Sequence, residues 1–205
     1  MISTQEMYKI DRHIQSLGIP AQILMENAGA NSARIVNERY DLKNKNILVF
    51  TGTGNNAGDG FVFARHAQKY GANVTVFLAK PPENIRTEET RTNYNIAKNI
   101  GIEICVSTIP QNILNNTDIA CDALLGIGLK DNVKEPYRKI IEIFNSLECA
   151  KISLDCPSGI NADTGKTRGV AVRADMTITF YDAKKGLDKS NSGEIIVTDM
   201  GIRNG

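Results

Sequence analysis

The sequence is poor in the residues on which several kinds of functional site depend. It has two histidines, His13 and His66, and both fall in segments that read as helices. A histidine-based catalytic triad or a multi-histidine metal site is therefore not expected. None of the four cysteines has the close Cys-x-x-Cys spacing of a zinc or redox site. Three of them lie in or beside apolar runs, which is typical of buried thiols in a reducing, cytoplasmic setting.

Charge and hydrophobicity exclude further classes of protein. The formal net charge is +1 and no long basic run is present, so nucleic acid is not an expected partner. No apolar stretch reaches membrane-spanning length, and the N-terminus lacks the basic start and apolar run of a signal peptide. The length of 205 residues suits one domain, residues 1–205, with a full-sized core. We therefore expect a cytoplasmic globular domain that binds neither membranes nor nucleic acid.

Predicted strands and helices alternate along the chain. This alternation predicts an α/β fold, a mainly parallel sheet covered by helices on both faces. The stretch 107–116 reads as either helix or loop, and 182–192 reads as loop. The predicted strands are 46–51, 73–78, 102–106, 118–125, 151–155, 176–180 and 194–199; the predicted helices are 4–17, 21–39, 58–70, 86–100 and 136–147.

Polar residues follow several of the predicted strands directly. The first strand leads into TGTGNNAGDG at 51–60, and Asp122 stands inside the fourth strand, before Gly126. Asp155 and Ser158 follow the fifth strand, and the sixth leads to DAKKG at 182–186. Ligands of such sheets bind outside the carboxyl ends of the strands, near the point where the strand order switches. These sequence-distant residues are therefore expected to converge on one edge.

The stretch at 51–60 matches neither of the common phosphate-binding motifs. A P-loop needs a lysine and Ser or Thr after its last glycine, and here Asp59 follows Gly58. A dinucleotide fingerprint needs its third glycine one residue earlier and an acidic residue after the second strand. The glycines still permit close backbone approach to a ligand, and the next helix start favours an anionic group. The alternative is a tight turn with asparagines in left-handed conformations.

Asp122 is a carboxylate inside the otherwise apolar run IACDALLGIG. A buried carboxylate must be hydrogen-bonded, paired or bound to a cation, since burial alone costs several kcal/mol. Asn56, Asp122 and Ser158 offer oxygen atoms, and one carboxylate among them favours a monovalent ion over magnesium. The alternative is an aspartate that caps nearby backbone groups.

Five motifs together resemble one known family, the YjeF N-terminal domain family, whose characterised enzymes are NAD(P)H-hydrate epimerases. The resemblance runs from about residue 5 to residue 202, with the motifs in the family's order, and their combination is specific although each is weak alone. They are LMENAG at 24–29, GNNAGDG at 54–60, CDALLGIGL at 121–129, KEPY at 134–137 and LDCPSGINADTG at 154–165.

The resemblance implies a fold and a ligand set. The fold would be a Rossmann-like three-layer α/β/α sandwich with two N-terminal helices. A potassium ion would be bound by Asn56, Asp122 and Ser158. The chain departs from the family pattern at Ala57, where a second glycine is usual, and the loop at 126–132 is variable in the family. The substrate-binding residues would be Asn55, Asn56, Ala57, Gly58, Asp59, Gly126, Ile127, Gly128, Leu129, Lys130, Asp131, Asn132 and Asp155.

The implied reaction interconverts the R and S forms of hydrated NADH or NADPH, which carry a hydroxyl beside the nicotinamide nitrogen. Loss of that hydroxyl gives a planar iminium, to which water can return on either face. We expect Asp155 to act as the acid/base group, with Asp59 as second candidate. The resemblance also implies a homodimer and cooperation with a dehydratase, either a separate partner or a fused domain.

Two other functions fit parts of the same pattern. Some proteins of this fold family are non-catalytic dimeric interaction scaffolds or RNA-associated proteins; the presence of Asn56, Asp122, Asp155 and Ser158 argues against a lost site. A different nucleotide-binding enzyme, such as a transferase, is disfavoured by the missing acidic residue after the second strand. The sequence leaves open whether the chain acts alone or is a domain of a bifunctional enzyme.

Overall fold

The structure, a computed structural model, describes residues 1–202 and contains a seven-stranded sheet in which all pairings are parallel. The predicted α/β class is confirmed. The last three residues of the predicted domain, 203–205, lie outside the described part of the chain. The strands are β1 Asn46–Thr51, β2 Asn73–Leu78, β3 Glu103–Val106, β4 Ile119–Ala123, β5 Ala150–Leu154, β6 Met176–Phe180 and β7 Glu194–Thr198.

The helices follow the prediction with one difference that matters for the site. Helix α3 begins at Asn55, whereas the sequence pattern predicted a start at residue 58. The ambiguous stretch 107–116 contains a short helix, and so does the predicted loop 182–192. No helix within residues 1–202 combines the length and apolar character that crossing a membrane requires. The helices are α1 Thr4–Ser16, α2 Ala21–Tyr40, α3 Asn55–Lys69, α4 Glu88–Asn99, α5 Gln111–Asn115, α6 Tyr137–Ser146 and α7 Lys189–Ser192, with a 3₁₀ turn at Pro82–Asn84.

Alternate residues of β1 enter two hydrophobic cores, because successive side chains of a strand point to opposite faces. Ile47 and Val49 pack into the larger core with apolar residues of α1, α2, α3 and α4. Leu48 and Phe50 pack into the second core, to which α5 and α6 contribute. The Phe50 ring meets the Phe144 ring edge-on at 5.1 Å between centroids. Helices therefore cover both faces, and the fold is a three-layer, Rossmann-like sandwich.

The strand order places a switch point beside β1. The order across the sheet is β3-β2-β1-β4-β5-β6-β7. The chain builds outward from β1 through β2 to β3, then returns to the other side of β1 with β4. The loops that follow β1 and β4 therefore diverge in opposite directions and leave a crevice at the carboxyl edge. Asn56, in the first turn of α3, and Asp122, near the end of β4, lie beside those two loops.

The N-terminal residues hold α1 against this edge. Ile2 pairs with Lys184: the Ile2 amide donates to the Ala183 carbonyl and the Lys185 amide donates to the Ile2 carbonyl, both at 2.9 Å. The Ser3 side chain caps α1 in a reciprocal pair with Glu6. Met7 and Ile14 then bury one face of α1 in the larger core. Met7, Tyr8, Asp11 and Gln15 of α1 border the crevice.

Candidate active site

A cavity of about 590 Å³ opens at the switch point. Its walls come from α1, the start of α2, the β1–α3 connection, the loop after β4, and the carboxyl ends of β5 and β6. Its size is within the range of small-molecule and cofactor sites. Residues that follow β1, β4 and β5 converge here as predicted, whereas Asp122, Ser158 and the segment 182–186 do not line the cavity. The cavity is the candidate active site.

The glycine-rich stretch 51–60 forms the first turn of α3 instead of a long loop. Gly54 is the N-cap and no side chain caps α3, so its first backbone N–H groups have no partner from a cap. Gly54, Asn55 and Asn56 line the cavity. Asn55 and Asn56 have helical backbones, so the alternative of left-handed asparagines is wrong. Ala57 is helical and fully buried, so its extra methyl group fits there.

Three of the four glycines in this stretch serve internal packing. A Cβ at Gly52 would lie 2.0 Å from the Leu124 carbonyl oxygen. One at Gly58 would lie 2.3 Å from the Met25 sulfur, and one at Gly60 2.6 Å from the Ala123 Cβ. These close approaches draw α3 against β4 and α2. Only Gly54 has open space around it.

Asp122 lies fully buried at the end of β4 and is held by hydrogen bonds. Its Oδ2 accepts from the Ser153 hydroxyl at 2.5 Å and from the Ser158 amide at 2.8 Å. Its Oδ1 accepts from the Ser158 hydroxyl at 2.6 Å and from the Leu124 amide at 3.1 Å. Burial raises the pKa of Asp122, and these four hydrogen bonds oppose that rise. The backbone-capping role that the sequence left open is therefore real.

Asn56 brings the third predicted ion ligand into the same network. Its Nδ2 donates to the Leu125 carbonyl at 3.1 Å, and the Leu125 amide donates to the Ser158 hydroxyl at 2.8 Å. Asn56 Oδ1 is buried and has no hydrogen-bond partner within residues 1–202. An unpartnered buried oxygen costs free energy unless another group binds it. One hydrogen-bond network thus joins Asn56, Asp122 and Ser158, and it leaves Asn56 Oδ1 available to another group.

Asp155 follows β5 in an unusual backbone conformation. Its φ is 62°, and the Cys156 amide donates to the Leu154 carbonyl at 2.8 Å, which closes a three-residue turn around it. Such turns are rare and strained. The carboxylate accepts a 2.5 Å hydrogen bond from the Lys184 ammonium. Its side chain remains 13% exposed, on the wall of the cavity.

Two further carboxylates, Asp59 of α3 and Asp11 of α1, line the same cavity. Burial raises the pKa of Asp59 well above its ordinary value, and the negative charges of Asp155 and Asp11 add to the rise. Burial, and then the charge of Asp155, raise the pKa of Asp11 to about 6. Lys184 opposes both shifts. The three carboxylates are therefore close enough to repel one another, and the cavity favours keeping protons bound.

Positive charge and neutral donors occupy other parts of the wall. Arg86 lies beside Thr53, to whose carbonyl its amide donates at 2.9 Å, and it is the only lysine or arginine among the described residues that line the cavity. Burial, then the charge of Asp155, raise the pKa of Tyr8, which keeps its phenol protonated. A Cβ at Gly128 would lie 3.0 Å from the Tyr8 hydroxyl, so Tyr8 reaches across to the loop after β4.

Not every predicted binding residue reaches the cavity. Asn55, Asn56, Asp59, Asp155 and the segment 126–129 line it. Ala57 and Gly58 are buried behind the first turn of α3, and Lys130, Asp131 and Asn132 are exposed outside the wall. No motif pointed to Tyr8, Asp11 or Arg86, which reach the cavity from α1 and from the segment before α4. Lys184 stands in the strand-end segment DAKKG, and that position was its one signal.

Comparisons with known proteins agree with this geometry. A family described as "YjeF-related protein N-terminus" matches residues 21–186. A protein of Nitrosopumilus maritimus named NAD(P)H-hydrate epimerase is 37% identical over 204 residues, which cover 98% of this chain and 95% of the relative. A protein of Pyrobaculum aerophilum named bifunctional NAD(P)H-hydrate repair enzyme Nnr is 39% identical, with 98% of this chain but 42% of the relative covered. The crystal structure of yeast YNL200c superposes with a TM-score of 0.84 at 25% identity, covering 97% of this chain and 86% of that one.

Proposed function

This chain belongs to the YjeF-related protein N-terminus family, and we propose on that premise that it is an NAD(P)H-hydrate epimerase. This isomerase interconverts the R and S epimers of hydrated NADH and hydrated NADPH. The observation that carries the proposal is the cluster of three carboxylates, from α1, α3 and the end of β5, in one cavity at the switch point. A non-catalytic scaffold has no use for two carboxyl groups kept in an environment that disfavours their charge.

The reaction needs a proton donor and then a proton acceptor. The acid protonates the hydroxyl on the carbon beside the ring nitrogen, and that C–O bond breaks as water departs with its electron pair. The lone pair of the ring nitrogen forms a C=N bond, which leaves a planar iminium cation. Water adds to the opposite face of that carbon, keeps one proton as the new hydroxyl and gives the other to a carboxylate. No electron leaves or enters the substrate, so no redox cofactor takes part.

The environments of Asp59 and Asp155 suit two different roles in these steps. Asp59 holds its proton to higher pH than an ordinary aspartate, as a general acid must. Asp155 has one oxygen held by Lys184, and its other oxygen can accept the proton of the returning water. We expected Asp155 to serve both steps; the structure favours dividing them, with Asp59 as acid and Asp155 as base. The net negative charge of the cluster also stabilises the iminium cation.

The anionic groups of a hydrated nucleotide have a matching part of the cavity. Gly54 and Asn55 at the start of α3 line the cavity together with Arg86, whose backbone amide donates to the carbonyl of Thr53 beside Gly54. Helix N-termini and arginines are the usual protein partners of phosphate. The nucleotide's phosphates would bind there and its ring would face the carboxylates. Duplex nucleic acid is not a proposed partner, because the net charge of +1 provides no attraction.

The residues present fit a potassium ion. Asn56 Oδ1 is the buried oxygen without a partner, and Asp122 and Ser158 supply a carboxylate and a hydroxyl in the same network. This set of oxygens with one carboxylate suits a hard monovalent cation. A bound ion would supply a positive charge that fixes the first turn of α3 and favours the substrate's phosphates. These three residues would otherwise hold the loop after β4 against α3 through hydrogen bonds alone.

The biological setting follows from the family and the composition. We propose a homodimer, formed through the N-terminal helices, that works beside a dehydratase in the cytoplasm. The Nitrosopumilus relative is covered over 95% of its length, whereas the chain spans 42% of the bifunctional relative. A dehydratase that is specific for one epimer would use what the epimerase supplies. The four cysteines, all free thiols in the structure, suit a reducing compartment.

The decisive test is a coupled assay. Racemic hydrated NADH with an excess of a stereospecific dehydratase should stop at about half conversion. Addition of this protein should carry the reaction to completion, because the unreactive epimer is converted into the reactive one. Replacing potassium by tetramethylammonium should slow the second half, because Asn56, Asp122 and Ser158 cannot bind so large a cation.

The matched control is Glu148→Gln, which changes one exposed carboxylate away from the cavity. It should support the second half of the reaction at the wild-type rate. A wild-type protein that leaves conversion at one half would contradict the proposed function. Equal rates in potassium and in tetramethylammonium would contradict the ion site alone.

A further inference from the structure

We propose that Lys184 is a positioning residue of the reaction, whose buried ammonium group holds one oxygen of the Asp155 carboxylate so that the other oxygen meets the substrate. The inference rests on the proposed function and deepens it. It assigns a role to a side chain that does not line the cavity and can position a reacting group only through Asp155.

The burial of Lys184 is the first observation. Its side chain is 0% exposed, and it is the only lysine or arginine of residues 1–202 that is fully buried. Lysines are almost never fully buried without a partner, because the ammonium loses its hydration. The buried ammonium of Lys184 therefore needs partners that compensate for its lost hydration.

Every N–H of the ammonium is used. Lys184 Nζ donates to Asp155 Oδ1 at 2.5 Å, to the Thr179 hydroxyl at 3.0 Å and to the Phe180 carbonyl at 2.8 Å. An ammonium has three donors and no acceptor, so this set is complete. Two of the three acceptors belong to the end of β6. The ammonium is therefore fixed to the sheet, and Asp155 is fixed to the ammonium.

The pair leaves one side of the Asp155 carboxylate available. Both hydrogen bonds that the described residues make to it end on Oδ1, from Lys184 Nζ and from the Phe180 amide at 3.4 Å. Oδ2 has no such partner in residues 1–202, and Asp155 is a residue of the cavity wall, so Oδ2 is the oxygen left for the substrate. Asp155 also occupies a strained turn with φ of 62°. This backbone conformation does not by itself fix the orientation of the carboxylate. Lys184 supplies that orientation.

Lys184 also sets the charge balance of the cavity. The titratable groups that its charge reaches are Asp11 of α1, Asp59 of α3, Asp155 and Cys156 after β5, and Asp182 after β6. One ammonium thus lies near the three carboxyl groups of the cavity and forms an ion pair with one of them. Asp155 is paired, whereas Asp59 and Asp11 have no such partner. This asymmetry gives chemically identical side chains different roles as acid and base.

A purely structural role for Lys184 makes a different prediction. The Lys184 segment also joins β6 to the N-terminal residues, since Ile2 pairs with it. If the ammonium only stabilised that junction, its loss would lower stability and the amount of active enzyme. It would not change the pH at which the remaining enzyme works best. The pH dependence therefore separates the two roles.

The experiment compares Lys184→Met with Lys185→Met. Lys185 is the next residue in the chain, and its exposed ammonium pairs with Glu6. Single-turnover exchange of the S and R epimers of hydrated NADH is measured from pH 5 to 9. Lys184→Met should lower the rate at neutral pH by at least about 10²-fold, the usual value of a placed acid or base. Its pH–rate profile should move to higher pH by about one unit or more, because the carboxyl groups lose a nearby cation. Lys185→Met should match the wild type.

A second variant keeps the proposal testable if Lys184→Met fails to fold. The double variant Lys184→Met/Asp155→Asn removes both charges of the pair and leaves neither one buried alone. Because Lys184 acts through Asp155, the double variant should exchange epimers as slowly as Asp155→Asn alone. A further loss of about tenfold or more would show an independent effect of Lys184 and overturn the proposal.

The remaining outcomes separate this inference from the function on which it rests. An active wild type with Lys184→Met at nearly the same rate, or slower with an unmoved pH profile, overturns the positioning role alone. A wild type that exchanges no epimers overturns the proposed function, and this inference with it.

Discussion

At the scale of single residues, the aspartates around the cavity differ in their partners and not in their chemistry. Asp122 accepts four hydrogen bonds and Asp155 accepts one from an ammonium. Asp59 has no side-chain hydrogen bond within residues 1–202, and its pKa is raised most strongly by burial. The same functional group is thus a structural anchor in one place, a paired carboxylate in the second and the proposed proton donor in the third.

Asp59→Asn should gain stability and lose activity. In the wild type, folding raises the pKa of Asp59 above its ordinary value of 3.8, mainly through burial. Above about pH 4 the unfolded state releases the Asp59 proton while the folded state keeps it. The stability of the wild-type protein is therefore not reduced by Asp59 below about pH 4, and it declines as pH rises above that value. Asparagine has no proton to lose. The variant should therefore gain at least about 2 °C in Tm at pH 8 and nothing at pH 4.

The same variant should lose the acid step. Its single-turnover rate should fall by at least about 10²-fold at neutral pH. Thermal melts at pH 4 and pH 8 and the exchange rate are measured on one preparation, with Glu148→Gln as the control. A variant that is no more stable at pH 8, or one that keeps its rate, would speak against Asp59 as the buried acid.

At the scale of elements, the contact of α3 with β4 positions the site. Gly52, Gly58 and Gly60 allow approaches that any side chain would prevent. These approaches bring the first turn of α3, with Asn56 and Asp59, to the end of β4, where the Leu125 carbonyl accepts a hydrogen bond from Asn56. The glycines of this stretch therefore act on the ligand indirectly, by bringing two elements of the protein together.

Gly52→Ala should separate these elements. The new Cβ would meet the Leu124 carbonyl oxygen at 2.0 Å, a backbone atom that cannot rotate away. Overpacking of this kind costs about 1–3 kcal/mol, and each kcal/mol lowers Tm by about 2–4 °C in a chain of this length. Thermal melts give the loss, and titration with a nucleotide should show weaker binding because the loop after β4 shifts.

The control for Gly52→Ala is Gly54→Ser, because a Cβ at Gly54 meets nothing within 4 Å and serine is a favoured N-cap. Its Tm should equal or exceed that of the wild type. If Gly52→Ala melted at the wild-type temperature, the close contact between α3 and β4 would not be what holds the site together.

The elements were easier to predict from the sequence than the contacts between them. The strands β1, β2 and β6 were predicted residue for residue, because apolar runs bounded by turn residues have few other interpretations. The start of α3 was misplaced by three residues, because glycine and asparagine usually indicate a turn. The ion pair between Lys184 and Asp155 joins residues 29 positions apart, and no local pattern encodes it. Asp11 lies within a predicted helix and belongs to no motif, so only the placement of α1 brings it to the cavity.

At the scale of the whole molecule, the sheet reverses its strand order at β1 and α1 covers the opening. The N-terminal residues attach α1 beside Lys184, so the first and last parts of the described chain meet at the cavity. The outer side of the α1–α2 corner exposes Leu17 and Ile23, which are 63% and 48% accessible. Exposed apolar side chains at one corner are what a self-association surface requires.

The homodimer proposed for this chain should depend on that corner. The double variant Leu17→Lys/Ile23→Lys should be monomeric by light scattering at micromolar concentration, because two charges would be buried in the interface. Ile100→Lys, which changes an equally exposed apolar residue at the end of α4, should remain dimeric. A monomeric wild type would contradict the dimer itself, and a dimeric double variant would contradict this surface.

The backbone at Asp155 restricts how this protein can evolve. A φ of 62° is free of strain only for glycine, and among the other residues asparagine and aspartate adopt it most readily, so glutamate is a poor substitute although it keeps the charge. A lineage that gives up the chemistry should therefore drift to Asn or Gly at this position. Its lysine at 184 should disappear along with the carboxylate, since an ammonium left alone in the interior is selected against. Surveying paired replacements at these two positions would thus sort active descendants from pseudoenzymes.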